Sequence, residues 1–160
     1  MKILFPTDFS YNANAALMFA AEVCKHSSGE LILVNAVHVP MVDSGAVPVV
    51  EEMMDDLREN AEKNLKGLVE LLNNEHQLNA QTRIEFGFAA DVIIDTARQI
   101  KSDLIIMGTK GASNVVDRVF GSITSEVMKR SDTPVMIIPQ HALFRGFGKI
   151  AVSTELRTDD

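Results

Sequence analysis

Apolar and polar positions alternate along the chain in a way that predicts short buried strands separated by helices. The run at residues 31–37 is almost entirely apolar, which is typical of a strand buried on both faces. The complete set of predicted strands is 2–7, 31–37, 82–86, 104–107 and 134–138. Between the second and third, apolar side chains at spacings of three and four predict a long amphipathic helix over residues 51–75. A first helix is predicted to follow the first strand, with Ser10 or Asp8 as its cap. Two further helices are predicted over residues 90–100 and 122–129.

Strands that alternate with helices indicate an α/β domain whose open parallel sheet is covered by helices on both faces. A chain of 160 residues can bury one core of this kind, and we assign residues 1–140 to it. In such sheets ligands bind at the carboxyl ends of the strands, where the strand order reverses. The segments that follow the strands are therefore the first candidates for a functional site.

The connection at residues 38–50 interrupts this regular pattern. It carries Pro40, Gly45 and Pro48 and is longer than most connections in α/β units. It also carries several valines and a methionine, so it is not simply a solvated loop. A loop packed on its own domain, a flap over the ligand site and a contact with a partner remain alternative interpretations.

The C-terminal segment repeats the beginning of the chain. Residues 149–156 match residues 2–9 in register at a lysine, an isoleucine and a threonine, and an acid follows the threonine in both. Gly146 and Gly148 precede this match as a linker. We therefore expect residues 141–160 to be a linker plus the first strand of a truncated second repeat, as in a tandem protein. An ordinary tail with a chance match is the alternative.

Composition narrows the functional classes. A net charge of −7 argues against a nucleic-acid partner, which needs a basic surface. No apolar run approaches the roughly 20 residues of a membrane span, and the single cysteine, Cys24, cannot form an internal disulfide. We expect a cytoplasmic protein with no nucleic-acid or membrane partner.

A glycine-rich segment between the fourth strand and the last predicted helix carries the candidate chemistry. Gly108 and Gly111 leave the strand, and Gly121 and Ser122 open the helix. Glycines let backbone amides approach a bulky anion, and the free amides of a helix start favour negative charge. From position 108 to 130 the basic residues Lys110, Arg118, Lys129 and Arg130 outnumber the acids Asp117 and Glu126. The segment therefore predicts a phosphate ligand.

Other phosphate-binding patterns are absent from the sequence. There is no G-x-x-x-x-G-K-[ST] of a P-loop and no G-x-G-x-x-G after the first strand. The third strand ends in Glu85-Phe86-Gly87, without the aspartate that a phosphoacceptor receiver domain requires.

The remaining pattern is G-x2-G-x9-G-[ST], formed by Gly108, Gly111, Gly121 and Ser122. With this spacing the chain resembles the ATP-binding branch of the universal stress protein family over residues 1–139. Residues 6–10, Pro-Thr-Asp-Phe-Ser, resemble the first-strand motif of the same family. The resemblance implies a Rossmann-like fold with a five-stranded parallel sheet of order 3-2-1-4-5.

The resemblance also implies roles for individual residues. Asp8, framed by Pro6 and Thr7, would lie near the adenine–ribose end of a nucleotide, and Ala36 would offer backbone contacts to the adenine edge. Ribose and phosphates would be held by the following set: Met107, Gly108, Lys110, Gly111, Gly121, Ser122, Ile123 and Thr124. As simpler alternatives, Asp8 and Ser122 would act only as helix caps.

Binding is better supported than turnover, because hydrolysis needs a positioned base and the sequence offers none that is convincing. We expect an ATP-binding (or ADP- or AMP-binding) regulatory protein of the stress response with at most slow hydrolysis. Any Mg²⁺ would be held through the phosphates. A nucleotide-free protein–protein interaction module and a true phosphohydrolase are the alternatives. Family members commonly form homodimers, here through the apolar edge strand between Pro134 and Pro139 or through the C-terminal repeat.

Overall fold

Strands and helices alternate along the whole described part of the chain. The structure is a computed structural model that describes residues 1–38, 47–109 and 120–148. The elements are β1 (Lys2–Pro6), α1 (Tyr11–His26), β2 (Glu30–Val37), α2 (Val47–His76), β3 (Gln81–Phe86), α3 (Ala89–Ile100), β4 (Leu104–Gly108), α4 (Ser122–Arg130) and β5 (Val135–Ile138). Each strand and helix predicted for residues 1–140 has a counterpart among these elements.

The strands form one five-stranded parallel sheet in the order β3-β2-β1-β4-β5. This order confirms the predicted α/β architecture. β1 is central, since Ile3 is paired with Leu31 on one side and with Leu104 on the other. The strand order reverses between β1 and β4, so the carboxyl ends of these two strands mark the expected ligand site.

Side chains of successive strand residues enter two separate cores. One core, here the first core, packs α1 and α2 against one face of the sheet through Ile3, Phe5, Leu17, Leu33, Leu65 and Ile106. The second core packs α3 and α4 against the other face through Leu4, Val34, Ile93, Ile105, Met107 and Val127. Because side chains in a strand alternate between faces, Val34 and Met107 belong to the face that α3 and α4 cover.

Helix α1 begins and ends with defined caps. The Ser10 hydroxyl accepts a hydrogen bond from the Ala13 amide at 3.2 Å, so Ser10 is the N-cap. At the other end, Ser28 has a positive φ of 48°, and the Gly29 amide donates to the Cys24 carbonyl at 2.9 Å. The left-handed residue after the helix is thus a serine and not the glycine that follows it. Gly29 is required by space, because a Cβ there would lie 2.6 Å from the Met1 carbonyl oxygen.

The long helix starts earlier than the sequence predicted. α2 begins at Val47 instead of residue 51, so Pro48 and the following valines belong to its first turn. Proline is tolerated there because the first amides of a helix have no intrahelical acceptor. The predicted 38–50 connection is correspondingly shorter, and its residues 39–46 lie outside the described residues.

Part of the segment predicted as a linker packs on α1. Phe144 contacts Phe19 and His26 with ring centroids 5.4 and 5.6 Å apart, and Phe147 contacts His26 at 5.8 Å. Phe144 also packs against the first core. The proposed repeat strand at residues 149–160 lies outside the described residues.

Among the helices of the described residues, none is both long and apolar enough to cross a membrane.

Candidate functional site

A cleft of about 300 Å³ opens at the carboxyl ends of β1 and β4. Its walls come from the ends of β1, β2 and β4, from the turn after β1, and from the N-terminal parts of α1, α3 and α4. The lining residues are Pro6, Thr7, Asp8, Ala13, Val34, Ala36, Ala89, Ile93, Met107, Gly108, Gly121, Ser122, Ile123 and Thr124. The structure thus brings the predicted site residues to one cleft, except Lys110 and Gly111, which lie outside the described residues.

Hydrogen bonds fix the turn between β1 and α1. The Thr7 amide donates to the Val34 carbonyl at 2.9 Å, and the Thr7 hydroxyl accepts from the Phe9 amide at 3.1 Å. The Asp8 carboxylate accepts from the Ser10 amide at 3.1 Å, so Asp8 stabilises the turn while Ser10 caps the helix. Phe9 has a φ of 61° and packs its ring against the first core. These contacts hold Asp8 at the mouth of the cleft.

Asn35 supports the same turn from β2. Its side-chain amide donates to the Thr7 carbonyl at 2.8 Å, and the residue is buried. A buried side-chain amide that crosses from one strand to the turn after its neighbour restrains that turn. Sequence reasoning missed Asn35, although a single amide within an otherwise apolar strand was a visible signal.

The start of α4 forms the polar end of the cleft. The Gly121 amide donates to the Thr109 carbonyl at 2.7 Å, and the Gly121 carbonyl accepts from Ser125 as the first turn closes. No side chain caps this helix start, because the N-cap is a glycine. The amides of Ser122, Ile123 and Thr124 therefore have no intrahelical acceptor and lie at the positive end of the helix dipole. This end of the cleft suits an anion.

The opposite end of the cleft is apolar. Val34 and Ala36 from β2 face Ala89 and Ile93 from α3, and Met107 from β4 lies between the two ends. Of the lining residues, sequence reasoning missed Ala13, Val34, Ala89 and Ile93. Val34 could have been found from Ala36, since residues two apart in a strand share a face. Small aliphatic residues in helices carry no comparable signal.

Two of the four basic residues that were expected near the phosphate site lie away from it. Lys129 and Arg130 end α4, about 12 Å along the helix from its first turn. Arg130 also bonds to Asp91 and Glu126, and these hydrogen bonds raise the pKa of its guanidinium. Both residues were counted toward the phosphate site because they are close in sequence, and the structure removes them from it. Lys110 and Arg118 lie outside the described residues.

The described residues include no group of histidine, cysteine, aspartate and glutamate side chains that could hold a metal ion. Asp8 is the one carboxylate among the described lining residues. The prediction of Mg²⁺ held through bound phosphates therefore stays a prediction.

Comparison with known proteins identifies the family of this arrangement. Residues 1–139 match the model of the universal stress protein family. A universal stress protein of Methanocaldococcus jannaschii is 27% identical over 151 residues, covering 86% of this chain and 93% of that protein. The solved structure of a universal stress protein from Lactobacillus plantarum superimposes with a TM-score of 0.79 at 26% identity, covering 86% of this chain and 97% of that one. A universal stress protein from Archaeoglobus fulgidus, solved in complex with dAMP, shares the fold at 20% identity with a TM-score of 0.62. That superposition covers 86% of this chain and 96% of the Archaeoglobus chain.

Proposed function

The chain belongs to the universal stress protein family, and from this premise we propose that its cleft binds an adenine nucleotide, with ATP as the preferred ligand. We further propose that binding regulates the protein in the stress response and that hydrolysis is slow at most.

The observation that carries the proposal is the division of the cleft into two chemically different ends. The free amides of Ser122, Ile123 and Thr124 offer donors to phosphate oxygens at one end. Val34, Ala36 and their neighbours on α3 offer an apolar wall to a base at the other. A nucleotide has this same division between phosphates and base. At about 300 Å³ the described cleft lies at the lower end of the usual range for small-molecule sites, about 300–1,000 Å³.

The adenine preference draws support from relatives. The Archaeoglobus fulgidus protein was solved with dAMP. Another universal stress protein, 22% identical with a TM-score of 0.57, was solved with cAMP and covers 88% of this chain and 97% of its own. Both ligands contain adenine, which supports adenine as the base for this cleft as well.

The proposal of binding without efficient turnover follows from the residues at the phosphate end. The described residues there supply amides and hydroxyls, and Gly108 and Gly121 supply space. Asp8 is engaged with the Ser10 amide in the turn after β1. Efficient hydrolysis would need a base that orients water at the terminal phosphate.

The proposal is tested by identifying what the purified protein carries. The protein is denatured by heat, and the supernatant is separated by ion-exchange chromatography against AMP, ADP and ATP standards. Release of an adenine nucleotide, together with saturable rebinding of ATP by the refolded or ligand-stripped protein, is the expected result. Absence of both would favour the nucleotide-free interaction module.

We also propose that the protein forms a homodimer through β5. This strand lies at an edge of the sheet and has the apolar sequence Val-Met-Ile-Ile, whereas the other edge strand, β3, begins with the exposed residues Gln81, Thr82 and Arg83. An apolar edge is suited to pairing with a second chain. Light scattering should give a mass of twice 17.6 kDa. A monomer at micromolar concentration would contradict the dimer without affecting the nucleotide proposal.

A further inference from the structure

Two exposed rings meet beyond the apolar end of the cleft. His38 directly follows β2, and Phe88 is the N-cap residue of α3. Their ring centroids are 5.6 Å apart with planes inclined by 41°. Phe88 is 64% exposed and belongs to neither core, so its ring contributes little to the burial that stabilises the fold. A large aromatic side chain at such a position is a candidate for ligand contact.

The position of the pair follows from the walls of the cleft. Val34 and Ala36 line the cleft from alternate positions of β2, and His38 is the next position in the same alternation. On the facing wall, Phe88 immediately precedes Ala89, which lines the cleft. The two rings therefore lie next to the apolar end, just outside the residues that line the cleft, on the face of the sheet that α3 and α4 cover.

The polar end sets the direction in which a nucleotide would lie. Phosphates held at the first turn of α4 direct the base across β1 toward β2 and α3. A base directed this way would meet the apolar wall that includes Ala36 and Ala89, whose side chains are small. His38 and Phe88 are the next side chains outward from these alanines, and both have aromatic faces.

We propose that His38 and Phe88 form an aromatic contact that stacks against the base of the bound nucleotide. This inference rests on the proposed nucleotide binding and adds to it the residues that hold the base. Stacking on an aromatic side chain stabilises a bound base and requires no hydrogen-bond recognition. A bicyclic purine presents a wider face than a pyrimidine, so the contact favours purine nucleotides.

The test compares ATP with ribose 5-triphosphate, which has the phosphates and sugar but no base. Equilibrium titrations of the wild type and of Phe88→Ala are made with both ligands. We expect Phe88→Ala to lower the affinity for ATP by about five- to one-hundred-fold. The affinity for ribose 5-triphosphate should stay unchanged, and Phe88→Trp should retain ATP binding because it restores an aromatic face.

Phe147→Ala is the matched control. Phe147 is also an exposed phenylalanine in contact with a histidine, since its ring lies 5.8 Å from that of His26. His26 is the last residue of α1, about 22 Å along that helix from its start beside the cleft. Phe147→Ala should therefore bind both ligands as the wild type does.

The possible outcomes separate the two proposals. A wild type that binds neither ligand would contradict the proposed nucleotide binding itself. A wild type that binds ATP, with Phe88→Ala binding it equally well, would overturn the stacking contact alone. Equal weakening of both ligands by Phe88→Ala would also overturn it, because the loss would then not depend on the base.

Discussion

The Thr124 hydroxyl donates a 3.1 Å hydrogen bond to the carbonyl of Gly108, joining the first turn of α4 to the last residue of β4. Thr124 is 3% exposed, so its side chain is largely shielded from solvent. It fixes the distance between the strand end and the helix start, the two elements that form the polar end of the cleft. The position of the free amides of α4 therefore depends on one buried side chain.

Replacing Thr124 by valine should destabilise this arrangement. Valine keeps the shape of threonine but leaves the Gly108 carbonyl without its donor, which costs about 1–3 kcal/mol of unfolding free energy. We expect ATP affinity to fall as well, because the first turn of α4 is no longer tied to β4. Denaturant unfolding and ATP titration measure the two effects. Thr124→Ser keeps the hydroxyl and should retain ATP binding. A Thr124→Val variant with the stability and ATP affinity of the wild type would show that the bond has no role.

Replacing Gly121 by valine should block phosphate approach. Gly121 has a φ of −63° and a ψ of 160°, which other residues adopt readily, so the substitution adds bulk without backbone strain. We expect ATP to stabilise this variant far less than it stabilises the wild type in a thermal shift assay. Gly67→Val is the matched control, since a Cβ at Gly67 of α2 would meet no atom within 4 Å. An undiminished ATP shift in Gly121→Val would place the phosphates elsewhere.

Replacing Asn35 by alanine should loosen the turn after β1. The change removes the 2.8 Å hydrogen bond to the buried Thr7 carbonyl and should lower the unfolding free energy by about 1–3 kcal/mol. Asn79→Ala is the control, because Asn79 is exposed and should change stability by less than about 0.5 kcal/mol. Urea unfolding of both variants measures the difference, and equal stabilities would mean that Asn35 does not restrain the turn.

Cys24 should be unreactive in the native protein. Its side chain is 0% exposed, and burial raises the pKa of the thiol above the ordinary value of 9.0, which keeps it protonated at neutral pH. Iodoacetamide should alkylate it slowly in buffer and rapidly in denaturant, as followed by mass spectrometry. Because the folded-state pKa is raised, the stability associated with the neutral thiol is fully present below the unfolded-state pKa and is lost as the pH rises through the folded pKa. Cys24→Ala should lack this alkaline loss, and equal alkylation rates with and without denaturant would contradict burial.

The fold was predictable because its signals are local and repeated. Apolar runs such as that of β2 and the spacing of Leu65, Leu68 and Leu72 in α2 identify strand and helix without tertiary information. The ends of helices were harder to predict where a residue is compatible with both a loop and a helix start. Pro48 suggested a loop, yet in the first turn of α2 proline has no intrahelical hydrogen bond to remove.

The site was predictable where glycines and a helix start mark it, and less so where aliphatic residues form its walls. Gly108, Gly121 and Ser122 line the cleft as expected. Ala89 and Ile93 reach it only because α3 packs beside β2, a relationship that spacing along the chain does not reveal. Arg130, in contrast, was wrongly expected at the site. It is near Ser122 in sequence, but it lies at the far end of α4 and is paired with Asp91.

The central claim, that the cleft binds ATP, is tested most directly by the unfolding free energy of the ligand-stripped wild type with and without ATP. A ligand that binds only the folded state at a hundred times its Kd should raise that free energy by about 2.7 kcal/mol. We expect this increase with ATP and its loss in Gly121→Val. An unfolding free energy that does not change with ATP up to millimolar concentration would contradict nucleotide binding by this cleft.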